Sequence, residues 1–189
     1  KNNSDLSEKY DICIIAELIK VRNLFDEKYM DMLRNFTQNV KDFAKQKKLK
    51  VIIAGAGDKN SQIAKMENDF YNEIFGENGY EIDQSDREYY PSYKNILKSK
   101  LVVGTHSTLI REALGLNKKV FVYNYLPETE YLFQFDDFFV LKDKSSDDSF
   151  FSLISEIYNL DTNKYFLKTN PNNFFMSNPK KVKDFFQSI

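Results

Sequence analysis

Residues 101–125, LVVGTHSTLIREALGLNKKVFVYNY, carry a strand, a turn, a helix and a second strand in one run. Leu101, Val102 and Val103 form an apolar segment that stops at Gly104, and 119–125 forms another. Between them, 108–116 has helical spacing, with Leu109, Ala113 and Leu116 on one face. Short apolar runs alternating with helix-period segments are the pattern of a parallel sheet wrapped by helices.

The alternation continues outward from this run. Residues 11–16 (DICIIA) read as a first strand and 50–56 (KVIIAGA) as a second that ends in glycines. Between them, 27–48 carries Met30, Leu33, Thr37, Val40 and Ala44 at three- and four-residue spacing, with Phe36 and Phe43 flanking. Ile63, Met66, Phe70 and Ile74 mark a second helix that Gly76 terminates. A short strand follows at 80–83, and Pro91 and Ser92 open a short helix through Lys98, with Ser92 as its N-cap. A sixth strand is expected at 138–141 and a helix at 145–160, with Phe150, Ile154 and Ile157 on its buried face. The fold expected is α/β, a Rossmann-like doubly wound parallel sheet of about six strands. Residues 1–165 form that domain, and 166–189 form a tail that passes through Pro171 and Pro179 to a terminal amphipathic helix.

Composition narrows the function classes. With 42% apolar and 29% charged residues the chain is globular rather than disordered. A net charge of −1 gives no global field for nucleic acid or an anionic membrane, and the lysines of 45–50 read as solvated helix-end charges. No apolar stretch approaches the roughly 20 residues of a membrane span. The lone Cys13 lies in an apolar strand and reads as core, which fits a reducing, cytoplasmic setting, at most peripheral to the inner membrane. The opening KNNSDLSEKYD has no initiator Met, so the chain is expected to be part of something longer.

In open α/β sheets, ligands bind beyond the carboxyl ends of the strands. Glu17, the GAGDKNS of 55–61, the DREYYPSY of 86–93 and the GTHST of 104–108 all fall at such ends. The last is the strongest candidate. Gly104 allows close approach of a ligand to the backbone. Ser107 and Thr108 either cap the following helix or offer hydroxyls and N–H groups to a phosphate. Glu112, four residues after Thr108, shares its helix face, and a carboxylate there can accept two hydroxyl hydrogen bonds from a diol. Gly55 and Gly57 are only a fragment of a dinucleotide fingerprint, since Asn60 stands where a glycine would be needed, and read as a tight turn beside the pocket. Tyr89 and Tyr90 are either stacking faces for a base or packing under a loop. A single histidine, His106, excludes a His-based metal cluster, and no metal or other cofactor is called for.

The stretch 90–123, YPSYKNILKSKLVVGTHSTLIREALGLNKKVFVY, resembles the donor-side core of GT-B glycosyltransferases, above all bacterial surface-carbohydrate biosynthesis transferases. The ENDFYNEIFG of 67–76 is similar to the helix that precedes that block there. The resemblance implies one half of a two-domain enzyme, the half that holds a nucleotide sugar. The missing N-terminal domain of the same protein would contact the acceptor. It implies Ser107 and Thr108 at the donor phosphates, Glu112 at the ribose, 89–93 near the base and His106 facing the cleft. Two features depart from that family: there is no His-Pro motif, and Glu112 and Lys119 stand where many retaining enzymes carry two glutamates. A nucleotide-sugar epimerase of the same fold and a non-catalytic Rossmann-like module are the competing readings.

Overall fold

The computed structural model describes residues 7–17, 27–76, 79–84, 91–126, 137–142 and 147–169. The strands are β1 (Tyr10–Ile15), β2 (Val51–Ala54), β3 (Glu81–Asp83), β4 (Ser99–Gly104), β5 (Lys119–Tyr123) and β6 (Val140–Leu141). The helices are α1 (Glu27–Lys47), α2 (Gln62–Phe75), α3 (Pro91–Leu97), α4 (Thr108–Gly115), α5 (Asp147–Asn159) and α6 (Thr162–Lys168). The strands form one sheet, every pair parallel, in the order β3-β2-β1-β4-β5-β6. Right-handed crossovers then put α1 and α2 on one face and α3 and α4 on the other. This is the expected doubly wound, Rossmann-like sheet.

At the centre, Cys13 lies between Ile52 and Val102, and Ile14 between Ile53 and Val103. Residues 12–15 are buried on both sides of the sheet, which is why β1 reads as an unbroken apolar run. Burial pushes the Cys13 thiol up to about 12, so it packs as a small apolar group.

The helices show where periodicity alone misplaces a face. In α1, Phe36 and Phe43 are at the centre of the buried stripe rather than its flank, and Phe36 meets Phe150 of α5. Helix α2 is turned by about one residue from the expected stripe. It buries Ala64, Glu67, Phe70, Tyr71 and Ile74, while Ile63 is exposed. Two local contacts set that rotation: the Ser61 hydroxyl caps the N–H of Ala64, and Gly57 packs against the same residue. Gly76 ends α2 as expected, in the left-handed region at φ 76°, its N–H returned to the Asn72 carbonyl. Helix α3 starts at Pro91 itself, so Ser92 is its second residue and not its cap.

Helix α6, which the sequence reading did not anticipate, spans the expected 165/166 boundary between domain and tail. Asp161 caps its N–H groups at Asn163 and Lys164. The buried Tyr165 hydroxyl donates to the Val120 carbonyl at 3.0 Å and accepts the Val120 N–H at 3.1 Å. Strand β6 begins pairing only at Val122, so Tyr165 supplies the edge bonds that β6 is too short to make. The terminal helix expected at 179–189, with Val182, Phe185 and Phe186, lies outside the described residues. Among the described residues no helix is long and apolar enough to cross a membrane.

Candidate functional site

The strand order reverses direction between β1 and β4, and the crevice beyond their carboxyl ends is where such sheets take ligands. Two segments meet there: Ala16 and Glu17 after β1, and Thr105, His106 and Ser107 between β4 and α4.

Glu17 is buried, and its carboxylate lies inside the turn after β4. The N–H of Thr105 donates to Oε1 at 3.0 Å, that of Ser107 to Oε1 at 3.1 Å, and that of His106 to Oε2 at 3.1 Å. The Thr105 hydroxyl donates to Oε2 as well. His106 Nδ1 lies 3.0 Å from the same oxygen. Burial alone would raise the pKa of this carboxyl. The bond to His106 and its charge, with the bonds from Thr105, outweigh burial and hold it below its usual value. The turn is thus an anion cradle already filled by the protein's own carboxylate. Gly104 serves that arrangement: a Cβ there would stand 2.9 Å from Glu17 Oε1 and 2.8 Å from Ile110 Cδ1. The close approach anticipated for a ligand at Gly104 is made by Glu17.

His106 is packed rather than dangling. The Tyr29 hydroxyl lies 3.3 Å from Nδ1, the two rings meet edge to face at 5.2 Å, and Thr105 Oγ1 is 3.0 Å away. Its side chain keeps 16% of its surface exposed. Burial disfavours the imidazolium, but the hydrogen bond and charge of Glu17 prevail and raise the pKa.

Ser107 is the N-cap of α4: its hydroxyl oxygen accepts the Leu109 N–H at 3.3 Å, while its own N–H is used on Glu17. Thr108, the first residue of the helix, is exposed. Glu112 is half-buried one turn further on, and the Tyr93 hydroxyl of α3 donates to its Oε2. The fold therefore brings the last residue of the 86–93 segment onto the carboxylate expected to hold a diol. Tyr90 lies outside the described residues.

The turn after β2 repeats the logic of the turn after β4. Glu67 of α2 is fully buried and accepts the Ala56 N–H at 2.9 Å, the Gly57 N–H at 3.4 Å and the Gln84 amide at 3.0 Å. Gly55 and Gly57 are buried, and neither has positive φ. A Cβ on Gly55 would come within 2.7 Å of Gln84 Cγ and 3.0 Å of Glu67 Oε2, and one on Gly57 within 2.5 Å of the Ala64 nitrogen. These glycines make room for a carboxylate and for a helix start.

Sequence reasoning placed Glu17 at a strand end but missed its role, and missed Glu67 and Tyr29 altogether. A signal existed for Glu67, because it falls four residues after Ile63 and three before Phe70, a charge inside an apolar stripe. Lys119, compared above with a catalytic glutamate, is at the opposite end of the sheet. Its ammonium caps α5 through the carbonyls of Ile157, Tyr158 and Leu160 at 2.7–2.9 Å. Among the described residues, no three His, Cys, Asp or Glu side chains are grouped to hold a metal ion.

Fold and crevice define a Rossmann-like domain with a polar site at its topological switch point. A family model described as "putative O-antigen biosynthesis protein" matches residues 8–139, and the chain belongs to that family. It is thus a Rossmann-like domain of a surface-carbohydrate biosynthesis family. Solved structures with the same fold include the "putative UDP-N-acetylglucosamine 2-epimerase" of Listeria monocytogenes, at TM-score 0.58 and 10% identity, covering 98% of this chain and 47% of that one. UDP-GlcNAc 2-epimerase from Neisseria meningitidis, bound to UDP-GlcNAc, gives 0.52 and 15%, covering 97% and 46%. MnaA of S. aureus in complex with UDP gives 0.57 and 15%, covering 100% and 50%. The chain spans about half the length of these proteins, and at such identities the likeness is one of fold. No curated protein matches the chain by sequence.

Proposed function

We propose that this chain is the nucleotide-sugar-binding half of a GT-B glycosyltransferase that transfers a sugar to a surface polysaccharide or glycoconjugate. An N-terminal domain of the same protein would supply the acceptor contacts. The observation that carries the reading is the position of Glu112. It lies one turn inside α4, beside the α3 helix through Tyr93, on the helix that starts at the switch point. A carboxylate there suits a ribose diol, with the donor phosphates toward Ser107, Thr108 and His106 and the base toward the α3 side. Gly104, and Gly55 and Gly57 in the turn after β2, would line the pocket. The leaving diphosphate would be stabilised by the α4 dipole and side-chain donors rather than by a metal.

The test is a thermal-shift panel of UDP, GDP, CMP and dTDP, since a ligand that binds only the folded state raises the midpoint. A base-selective rise supports the reading, and no rise with any of the four removes it. A nucleotide-sugar epimerase of the same fold is the second reading, favoured by one observation: Glu17 and His106 form an acid–base couple at the crevice.

A further inference from the structure

The backbone donors of the turn after β4 are already engaged, because three consecutive N–H groups point at Glu17. A phosphate that enters this crevice meets side chains instead: the partly exposed His106 ring, Ser107 and the exposed Thr108. We infer that His106 is the cation that recognises the diphosphate of a nucleotide sugar, and that Glu17 is the positioning residue that keeps its imidazole protonated and fixed. The inference rests on the nucleotide-sugar reading above and assigns its anion contact.

The geometry leaves Glu17 little choice. Its oxygens accept three N–H groups and a hydroxyl, an environment built for the ionised form. An ionised carboxylate 3.0 Å from Nδ1 requires that nitrogen to carry its proton. A neutral ring with its proton on Nδ1 would present only an acceptor at Nε2, which repels phosphate oxygens. The protonated ring presents a charged donor. Among the described residues, Glu17 from the β1 end and Tyr29 from α1 face the ring. Burial, then the charge of Glu17, raises the Tyr29 pKa, so that hydroxyl stays neutral; burial, then the charges of Glu67 and Glu17, raises that of Tyr71 on α2. The carboxylate itself is shielded from an incoming phosphate by its burial and by its donors.

Because the chain has one histidine, its imidazole proton signals are assigned in a nuclear magnetic resonance titration without mutants. The titration is run with and without UDP-N-acetylglucosamine and GDP-mannose, whose diphosphate diesters keep constant charge between pH 5.5 and about 8.5. His106 is expected to titrate above its ordinary 6.5, and Glu17→Gln to lower its pKa. A bound nucleotide sugar should raise the pKa further, and affinity should fall about tenfold as the ring deprotonates, since the coupling is reciprocal. His106→Gln should bind with the weak affinity of the neutral ring at every pH, and this variant also serves if Glu17→Gln does not fold. Binding that is tight in His106→Gln, or independent of pH in the native chain, overturns the inference while leaving the nucleotide reading standing. Absence of binding by either sugar at any pH, together with no thermal shift from UDP, GDP, CMP or dTDP, overturns both.

Discussion

A Cβ placed on Gly104 would stand 2.9 Å from Oε1 of Glu17, inside the distance that real side chains tolerate. Ile110 Cδ1, at 2.8 Å, is the end of a flexible side chain and can give way, but the carboxylate is held by four donors and cannot. Gly104→Ala should therefore destabilise the fold by about 1–3 kcal/mol, the usual cost of overpacking. Urea unfolding measures it, and a Glu17→Ala background supplies the control. If the carboxylate is the obstacle, the added cost of Gly104→Ala shrinks in that background; an unchanged cost means Ile110 is the obstacle.

The Glu17–His106 pair makes stability depend on pH in two directions. Glu17 has a lowered pKa in the folded chain. Its contribution is present above its ordinary 4.5 and lost as pH falls through the lower folded value. His106 has a raised pKa, so its contribution is complete below its ordinary 6.5 and lost as pH rises through the higher folded value. The pair stabilises most between about 4.5 and 6.5. Subtracting the urea midpoints of His106→Gln from those of the native chain should give a difference largest in that window and declining on its alkaline side. A flat difference from pH 5 to 9 means that the pair does not change its proton affinity on folding.

The sheet was legible because burial on both faces leaves β1, β4 and β5 as unbroken apolar runs, and Gly104 marks where one of them stops. The helix faces were less legible. A stripe drawn through Ile63 and Met66 ignores the cap at Ser61 and the contact between Gly57 and Ala64, which set the rotation of α2. The site was legible in part. Gly104, His106, Ser107, Thr108 and Glu112 could be placed together because they fall within nine residues, on one turn and the first turns of one helix. Glu17 stands 88 residues from Thr105 in the chain, and nothing in a single sequence tells a carboxylate that fills a cradle from one that faces water. Tyr93 reaches Glu112 only because α3 and α4 are neighbours over the sheet.

Lys119 is the buried cation whose role the sequence concealed. Its ammonium donates to three carbonyls at the end of α5, satisfying groups that a helix C-terminus otherwise leaves open. Burial is the main influence on this ammonium and lowers its pKa, yet the three carbonyls give it every bond it can donate. Lys119→Met keeps much of the stem and removes the cap. It should cost about 1.5–3 kcal/mol, the range for bonds to a charged group, and loosen α5. Hydrogen exchange at residues 157–160 reads the effect directly. Protection there equal to that of the native chain would mean that the carbonyls find other donors.

Thr108 and Glu112 separate a ligand site from a helix start. Thr108 is exposed at the first position of α4, where Ser107 already provides the cap, so its hydroxyl has little to do for the fold. Thr108→Ala should leave the melting temperature nearly unchanged and weaken nucleotide binding by about 0.5–1.5 kcal/mol, or more where the lost bond is charge-assisted. Glu112→Gln keeps the shape and an oxygen for the Tyr93 hydroxyl but loses the charge that favours two diol hydroxyls at once. Nucleotide affinity should fall while inorganic pyrophosphate binding stays nearly constant, because pyrophosphate has no ribose to present. Calorimetric titration of both variants with UDP and with pyrophosphate makes the comparison. Should both substitutions leave nucleotide affinity intact and lower the melting temperature instead, the 104–108 turn serves the fold alone, and Glu17 is the only anion it was built to hold.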